Sequence, residues 1–210
     1  KNHVFAKRKS LTSPQGIIIG PTGAGKSFLI KETEITQTLL STDDDLQIID
    51  PQNETQNVCA MYGGLFLDFT PKSDIHINPM EVPLSLFKAG TKKDRELFIA
   101  DVTKWATSFT EAIMKNIVYT QEHSNFIEQA VQNVYDKVFS RNNLIQPTIK
   151  DVRKELMILE DNNENAHDKK IIHEMLNCLY SYTDGVYDMF AYPSDVDIST
   201  YRLVAFGLKN

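Results

Sequence analysis

The feature that most constrains this sequence is the stretch at residues 20–27, GPTGAGKS. It fits the pattern G-x-x-x-x-G-K-S/T of a phosphate-binding loop (P-loop), which connects a buried strand to the start of a helix. The apolar run Ile17-Ile18-Ile19 precedes the loop, and the apolar Phe28-Leu29-Ile30 follows it. We therefore predict a strand at 17–19 and a helix at 28–40.

The residue types in this loop indicate how it would hold a chain of phosphates. Glycines let the backbone wrap tightly, so that successive N–H groups point inward at the phosphates. Lys26 supplies a mobile positive charge for the β- and γ-phosphates, and Ser27 supplies a hydroxyl for Mg²⁺. The N-terminus of the following helix adds its positive end. We predict that the chain binds a nucleoside triphosphate or descends from a protein that did.

The composition is that of an ordinary soluble globular protein with one domain, or one domain carrying a large insertion. Of its 210 residues, 41% are hydrophobic and 24% are charged, and the formal net charge is −6. This charge argues against a surface that is basic throughout, although a local basic patch could still contact DNA. Cys59 and Cys178 lie far apart without metal-ligand spacing, so we interpret them as reduced cysteines of a cytosolic protein.

The sequence shows neither a membrane span nor a signal peptide. No apolar run approaches the roughly 20 residues that a membrane helix needs. We therefore predict a cytoplasmic location, with any attachment to the inner face of the cell membrane made through partners. Because the sequence begins at Lys1 and not at Met, we expect it to be a piece of a longer protein.

The pattern after the loop is typical of an α/β fold. Leu46-Gln47-Ile48-Ile49 is a strand candidate that ends at Asp50-Pro51, and with the preceding helix it completes a βαβ unit. Such a unit predicts a parallel sheet with a right-handed crossover. A short helix at 56–61, a turn at 62–64 and a further strand at 65–69 follow.

The next hundred or so residues have helical periodicity, and strand character returns only at 201–206. Two capping boxes, Thr91 with Asp94 and Thr148 with Asp151, mark helix starts within this block. We predict three parts. Residues 1–85 hold the first strands of a P-loop core, residues 86–193 form an all-helical insertion subdomain, and residues 194–210 return to the core.

Hydrolysis of a nucleotide needs a second carboxylate near Mg²⁺ and a base that orients the attacking water. The stretch at 156–161, LMILED, looks like a strand that ends in acidic residues, but its helical periodicity predicts a helix. Asp50 ends a strand candidate, where ligands of parallel sheets bind, and Glu54 follows it closely. The alternatives are turn chemistry for Asp50 and a solvent-facing carboxylate for Glu54, and the sequence leaves both residues open.

Two other patterns carry less weight. Thr91-Lys92-Lys93-Asp94 matches the guanine-reading pattern N/T-K-x-D, but it lies at a helix start and no D-x-x-G follows the loop at a workable distance. The basic cluster Lys7-Arg8-Lys9 is typical of a solvated lead-in, with contact to phosphate or a neighbouring subunit as the alternative.

Taken together, the motifs resemble those of a known family. The P-loop at 20–27, the DPQNE at 50–54, the Gly-Gly at 63–64 and the INPM at 77–80 occur in that order. This set is similar to the C-terminal ATPase domain of the TraC/TraE-type conjugation ATPases, the VirB-type motors of type IV secretion systems. The resemblance covers nearly all of the chain. It implies an α/β fold of the HerA/FtsK group: the front half of a RecA-like P-loop core with a parallel sheet, and a large all-helical insertion subdomain.

The resemblance also implies a function and a set of site residues. It implies binding of ATP and Mg²⁺ by a motor that powers conjugative DNA transfer or type IV secretion assembly. Such motors work with secretion-machinery partners and commonly as hexameric rings. Lys26 and Glu54 are the predicted catalytic residues, and Ser27 is the predicted metal ligand. The predicted nucleotide contacts are Gly20, Thr22, Gly23, Ala24, Gly25, Lys26, Ser27, Phe28 and Asp50.

The sequence departs from the family pattern in two ways. Gln52 and Thr55 stand where the family often has an acidic and an aromatic residue. The family's Walker B Asp-Glu, a later Gln-bearing strand and an arginine for the neighbouring subunit would all fall beyond position 210. We therefore expect this chain alone to bind nucleotide weakly and to hydrolyse it poorly. The alternative is a non-catalytic assembly module that acts through its helical subdomain.

Overall fold

A computed structural model describes residues 12, 15–70 and 75–208 of the protein. The basic cluster at 7–9 lies outside the described residues. Within them, an α/β part is formed by the residues before 70 and after 200, and a helical part lies between.

Within the described residues, the sheet consists of three parallel strands. They are β1 (Leu46–Asp50), β2 (Leu65–Asp68) and β3 (Leu203–Gly207), and their order is β1-β3-β2. The last strand of the chain therefore lies in the centre, where Leu203, Val204 and Ala205 are buried. A central parallel strand is covered on both faces, which explains its continuous apolar run. The predicted parallel sheet and the predicted return strand are confirmed.

The helix after the P-loop is continuous but changes its hydrogen-bond pattern. It comprises α1 (Lys26–Leu29), a π-helical segment (Ile30–Ile35) and α2 (Thr36–Ser41). Thr36 Oγ1 donates to the Lys31 carbonyl, five residues back, at 2.7 Å, and itself accepts from the Tyr62 hydroxyl at 3.0 Å. The predicted helix at 28–40 is confirmed, whereas the π segment, a feature frequent at functional sites, was not predicted.

The predicted buried strand at 17–19 is wrong. Residues 15–20 have no regular secondary structure, and the side chains of Ile17 and Ile19 are 86% and 88% exposed. A strand needs a neighbour that pairs with its backbone groups. None of the three strands formed by the described residues pairs with this segment, so its apolar side chains stay in solvent.

Two adjacent glycines connect α3 (Gln56–Met61) to β2 for different reasons. Gly63 has a φ of 65°, in the left-handed region that favours glycine. Gly64 has no such φ, but a Cβ there would lie 2.8 Å from the Leu203 carbonyl oxygen. The Gly-Gly pair therefore lets the turn pass directly against the central strand.

The described residues between β2 and β3 form five helices. These are α4 (Leu84–Ala89), α5 (Lys92–Ile113), α6 (Gln121–Phe139), α7 (Ile149–Asn162) and α8 (Ala166–Thr183). Short 3-10 turns at Asp188–Phe190 and Ile198–Thr200 lead back to the sheet. The helices share one apolar core, in which the wholly buried Tyr135 donates its hydroxyl hydrogen to the Met80 carbonyl at 2.7 Å. No helix in the described part of the chain has the length and apolarity to cross a bilayer.

The helix starts follow the predicted capping boxes, and one more box appears. Thr91 with Asp94 begins α5, and Thr148 with Asp151 begins α7. At the start of α6, the Thr120 N–H donates to His123 Nδ1 at 3.1 Å. Histidine is not part of the usual capping-box signature, which is why this third box was not predicted. The acidic-ended stretch at 156–161 lies within α7, as its periodicity predicts.

Two segments that join the sheet to the helices lie side by side, and Asn78 ties them together. The Asn78 N–H donates to Ser194 Oγ at 2.9 Å, and its buried side-chain amide donates to the Pro147 carbonyl at 2.8 Å. Its Oδ1 accepts from the Met80 N–H at 3.0 Å. The backbone of Asn78 thus links the start of the helical part to the segment that returns to β3, and its side chain fastens the same start to the segment before α7.

Replacing this side chain is expected to destabilise the protein. In Asn78→Ala, the Pro147 carbonyl and the Met80 N–H both lose a partner inside the protein, which costs about 1–2 kcal/mol of unfolding free energy. Urea denaturation followed by circular dichroism measures the loss. Asn143→Ala, at an exposed position before α7, is the control, and equal effects of the two substitutions would contradict the role of Asn78.

Candidate functional site

The P-loop has the backbone turn that its glycines predict. Gly23 and Gly25 have φ values of 81° and 82°, a region that side chains rarely adopt. Between them, the Ala24 N–H donates to the Pro21 carbonyl at 3.2 Å. Gly25 is the N-cap of α1, where its carbonyl accepts from the Leu29 N–H at 2.9 Å. The loop therefore reverses the chain directly into the first turn of the helix.

Lys26 folds back over this loop. Its ammonium donates to the carbonyl oxygens of Gly20 and Pro21, both at 2.8 Å. These two neutral acceptors hold a positive charge against the loop backbone. A phosphate oxygen would be a stronger acceptor, because a hydrogen bond between two charged groups exceeds one to a neutral carbonyl.

The remaining predicted contacts in the loop face solvent. The exposed residues are Thr22, Ala24, Ser27 and Phe28. Ser27 lies in the first turn of α1, one position after Lys26, so both functional groups of the motif are presented from the same turn. The predicted roles, phosphate binding by the Lys26 amine and metal binding by the Ser27 hydroxyl, stay predictions.

A cleft of about 220 Å³ lies beside Ser27, between the helix and the carboxyl end of β1. It brings together three predicted site residues, Ser27, Asp50 and Glu54. Its other lining residues are Ile30, Lys31, Ile48, Ile49, Gln52 and Thr55. Lys31 was not predicted; its position four residues after Ser27, on the same side of a helix, was the available signal.

Asp50 organises the loop that follows β1. Its Oδ2 accepts from the N–H and the hydroxyl of Thr55 at 2.7 and 2.6 Å, and its Oδ1 accepts from the Gln52 N–H at 3.1 Å. Burial acts to raise the pKa of this carboxyl, but the hydrogen bonds from Thr55, Gln52 and the Glu54 backbone outweigh it and hold the pKa below its usual range. The geometry thus supports the turn interpretation, and direct contact of Asp50 with a nucleotide stays a prediction.

Glu54 extends from the same loop toward the helix. Its Oε2 lies 3.7 Å from Lys31 Nζ, and the two side chains are 49% and 29% exposed. Asn53 just before it has a φ of 56°, in the left-handed region that Asn tolerates. Glu54 therefore combines solvent access with a charged partner at the cleft, and its predicted catalytic role stays a prediction.

Other candidate positions in the described part of the chain carry no comparable chemistry. Among the described residues, no three His, Cys, Asp or Glu side chains come close enough to hold a metal ion. Cys59 and Cys178 are free thiols whose pKa values burial raises. The Asp94 carboxylate accepts from the N–H and hydroxyl of Thr91 at 3.0 and 2.6 Å, so it serves the start of α5 and not a guanine site.

Comparison with known proteins assigns the family. The profile of the TraG P-loop domain matches residues 3–210. The chain belongs to the TraG P-loop domain family. This confirms the predicted resemblance to P-loop ATPases of conjugation and type IV secretion, and it makes the chain a member of a nucleotide-binding family. A comparison with curated proteins gave no match.

A solved structure confirms the fold of this TraG P-loop domain. The chain is similar to VirB4 of Thermoanaerobacter pseudethanolicus, with a TM-score of 0.62 and 19% sequence identity. The match covers 90% of this chain and 48% of the VirB4 chain, so the chain spans about half the length of that relative. The predicted class, a RecA-like α/β core with a parallel sheet and a helical part, is thereby confirmed.

Proposed function

We propose that this TraG P-loop domain is the nucleotide-binding part of an ATPase motor that powers conjugative DNA transfer or type IV secretion assembly. The observation that carries the proposal is the loop at 20–27. Its two left-handed glycines turn the chain into α1, and the same helical turn presents the Lys26 ammonium and the Ser27 hydroxyl. Family membership supports the same function.

The proposed ligand is ATP with Mg²⁺. Lys26 would exchange the carbonyls of Gly20 and Pro21 for phosphate oxygens, and Ser27 would ligate the metal ion. Thr22, Gly23 and Gly25 would line the phosphate chain, with Gly20, Ala24 and Phe28 beside them. When bound, Mg²⁺ offsets charge on the β- and γ-phosphates. The residues present fit this group, because the loop already holds a cation at its backbone and a hydroxyl next to an open cleft.

We propose that hydrolysis by this chain alone is slow. The carboxylates that line the cleft belong to Asp50 and Glu54. Both oxygens of the Asp50 carboxylate accept hydrogen bonds from the loop after β1. Glu54 is then the candidate base. The acidic residues after Leu159 lie within or beside α7, so they offer no carboxylate at the end of a strand.

The proposal includes the wider setting of the domain. Partners from the secretion machinery, a hexameric ring and a position at the inner face of the cell membrane rest on the family alone. Contact with DNA receives no support from the net charge of −6.

The division into 1–85, 86–193 and 194–210 is supported by two separate apolar clusters, of which the smaller contains Ile35, Cys59, Leu203 and Ala205. Met80 and Val82 pack in the helical cluster, which favours a boundary before residue 80 over the predicted boundary at 85.

Calorimetric titration of the chain with Mg-ATP tests the proposal. We expect saturable binding, and at least about tenfold weaker binding in Lys26→Met, because the variant loses the charge-assisted hydrogen bonds of the ammonium. Lys93→Met, which removes an exposed lysine at the start of α5, is the matched control and should bind like the wild type. Absence of saturable binding, or equal affinity in Lys26→Met, would favour the non-catalytic assembly module.

A further inference from the structure

The ion pair between Lys31 and Glu54 lies in the cleft that also contains Ser27. The two side chains come from different elements, the π-helical segment and the loop after β1, and meet across the cleft. Their separation of 3.7 Å is longer than a tight charged hydrogen bond, and both groups keep partial access to solvent. The pair is therefore close enough to interact and loose enough to be exchanged.

Both backbones that carry the pair are held in place. On the helix side, the Lys31 carbonyl accepts from Thr36 Oγ1, which accepts in turn from the Tyr62 hydroxyl. On the loop side, the hydrogen bonds of Asp50 to Gln52 and Thr55 enclose Glu54. The backbone thus fixes the positions from which the two side chains extend, and the pair itself is weak, because ordering two partly exposed side chains offsets most of their attraction.

A triphosphate held by the P-loop would change the balance of charge in this cleft. Its terminal phosphate carries more negative charge than a carboxylate, and a lysine is a compact cation that can move between acceptors. The same phosphate would repel Glu54, because like charges at short range are unfavourable. Both effects act to separate the pair.

We propose that Lys31 distinguishes nucleoside triphosphates from diphosphates by exchanging Glu54 for the terminal phosphate. The exchange frees the Glu54 carboxylate only when that phosphate is present. This inference rests on the proposed function, since it needs a nucleotide in the P-loop. It gives Lys31 a role separate from that of Lys26, which binds the loop and is available to either nucleotide.

The experiment compares Mg-ATP and Mg-ADP affinities of the wild type, Lys31→Met, Glu54→Gln and the double variant. In Lys31→Met we expect Mg-ATP affinity to fall about 3- to 10-fold and Mg-ADP affinity to change by less than about twofold, because only the triphosphate makes the added charged contact. Glu54→Gln should bind Mg-ATP more tightly, since Lys31 no longer has to leave a partner. Lys31→Arg, which keeps the charge, should keep most of the preference for ATP.

The outcomes separate the inference from the proposed function. Equal loss of ATP and ADP affinity in Lys31→Met, or no loss of either, overturns the exchange while the proposed function stands. Exchange predicts that Lys31→Met lowers Mg-ATP affinity more in the Glu54→Gln background than in the wild type, because Lys31 there gains the phosphate without losing a partner. A smaller loss of Mg-ATP affinity in that background also overturns the proposed exchange. If the wild type binds neither nucleotide, the proposed function fails and the inference fails with it. Lys93→Met is again the matched control.

Discussion

Leu156→Ala is expected to lower the free energy of unfolding by about 2–5 kcal/mol, because it removes a buried side chain and leaves a cavity. Leu156 lies in the middle of α7 and is wholly buried in the core of the helical part. A loss of this size is a large fraction of the roughly 5–15 kcal/mol by which domains are stable. Urea denaturation followed by circular dichroism measures the change.

The same helix offers a matched control. Ile158, two positions further along, is 46% exposed, so Ile158→Ala should cost less than about 1 kcal/mol. Equal losses of unfolding free energy in Leu156→Ala and Ile158→Ala would contradict the packing of α7. A second substitution tests whether the stretch at 156–161 is a helix or the strand of a magnesium site. If it is a helix, Asp161→Ala should leave Mg-ATP affinity unchanged.

Asp50→Ala is expected to cost about 3 kcal/mol of unfolding free energy, since a charged acceptor of several hydrogen bonds is lost and buried donors are left unpaired. The substitution frees the N–H and hydroxyl of Thr55 and the N–H of Gln52. The loop that carries Glu54 then loses its internal support. Asp45→Ala, at an exposed position just before β1, is the control and should have little effect.

The unfolding free energy that Asp50→Ala removes should also depend on pH. The pKa of Asp50 is lower in the folded protein, so the folded state favours the ionised form. Its contribution is fully present above the unfolded pKa of about 3.9 and is lost as the pH falls through the folded value. The difference in stability between the wild type and Asp50→Ala should therefore shrink on acidification below about pH 4. A difference that stays constant or grows there would contradict the role of the carboxylate.

Local sequence patterns were sufficient to predict features whose structure depends only on neighbouring residues. The P-loop glycines require a special backbone, so the turn at 20–27 could be predicted before any contact was known. The two Thr–Asp capping boxes likewise placed the starts of α5 and α7, since each box is closed within four residues. The His123 box closes in the same way, but with a residue type that the pattern does not include.

The candidate site was only partly predictable because it joins separate elements. Asp50 and Glu54 were recognised as a pair near a strand end, but the sequence did not show that Thr55 and Gln52 occupy the Asp50 carboxylate. Lys31 was missed because its partner lies 23 positions away on another element, and the π-helical turn that positions its backbone has no simple sequence pattern.

The sequence by itself determined the family, the P-loop turn and the succession of strands and helices after the loop, because these depend on local conformational preference and on residue order. Only the tertiary structure decided which strands pair and which apolar segments are buried. The last strand lies at the centre of the sheet, whereas the equally apolar segment at 17–19 pairs with none of the described strands. Burial depends on a neighbour from elsewhere in the chain, and an apolar run does not specify that neighbour.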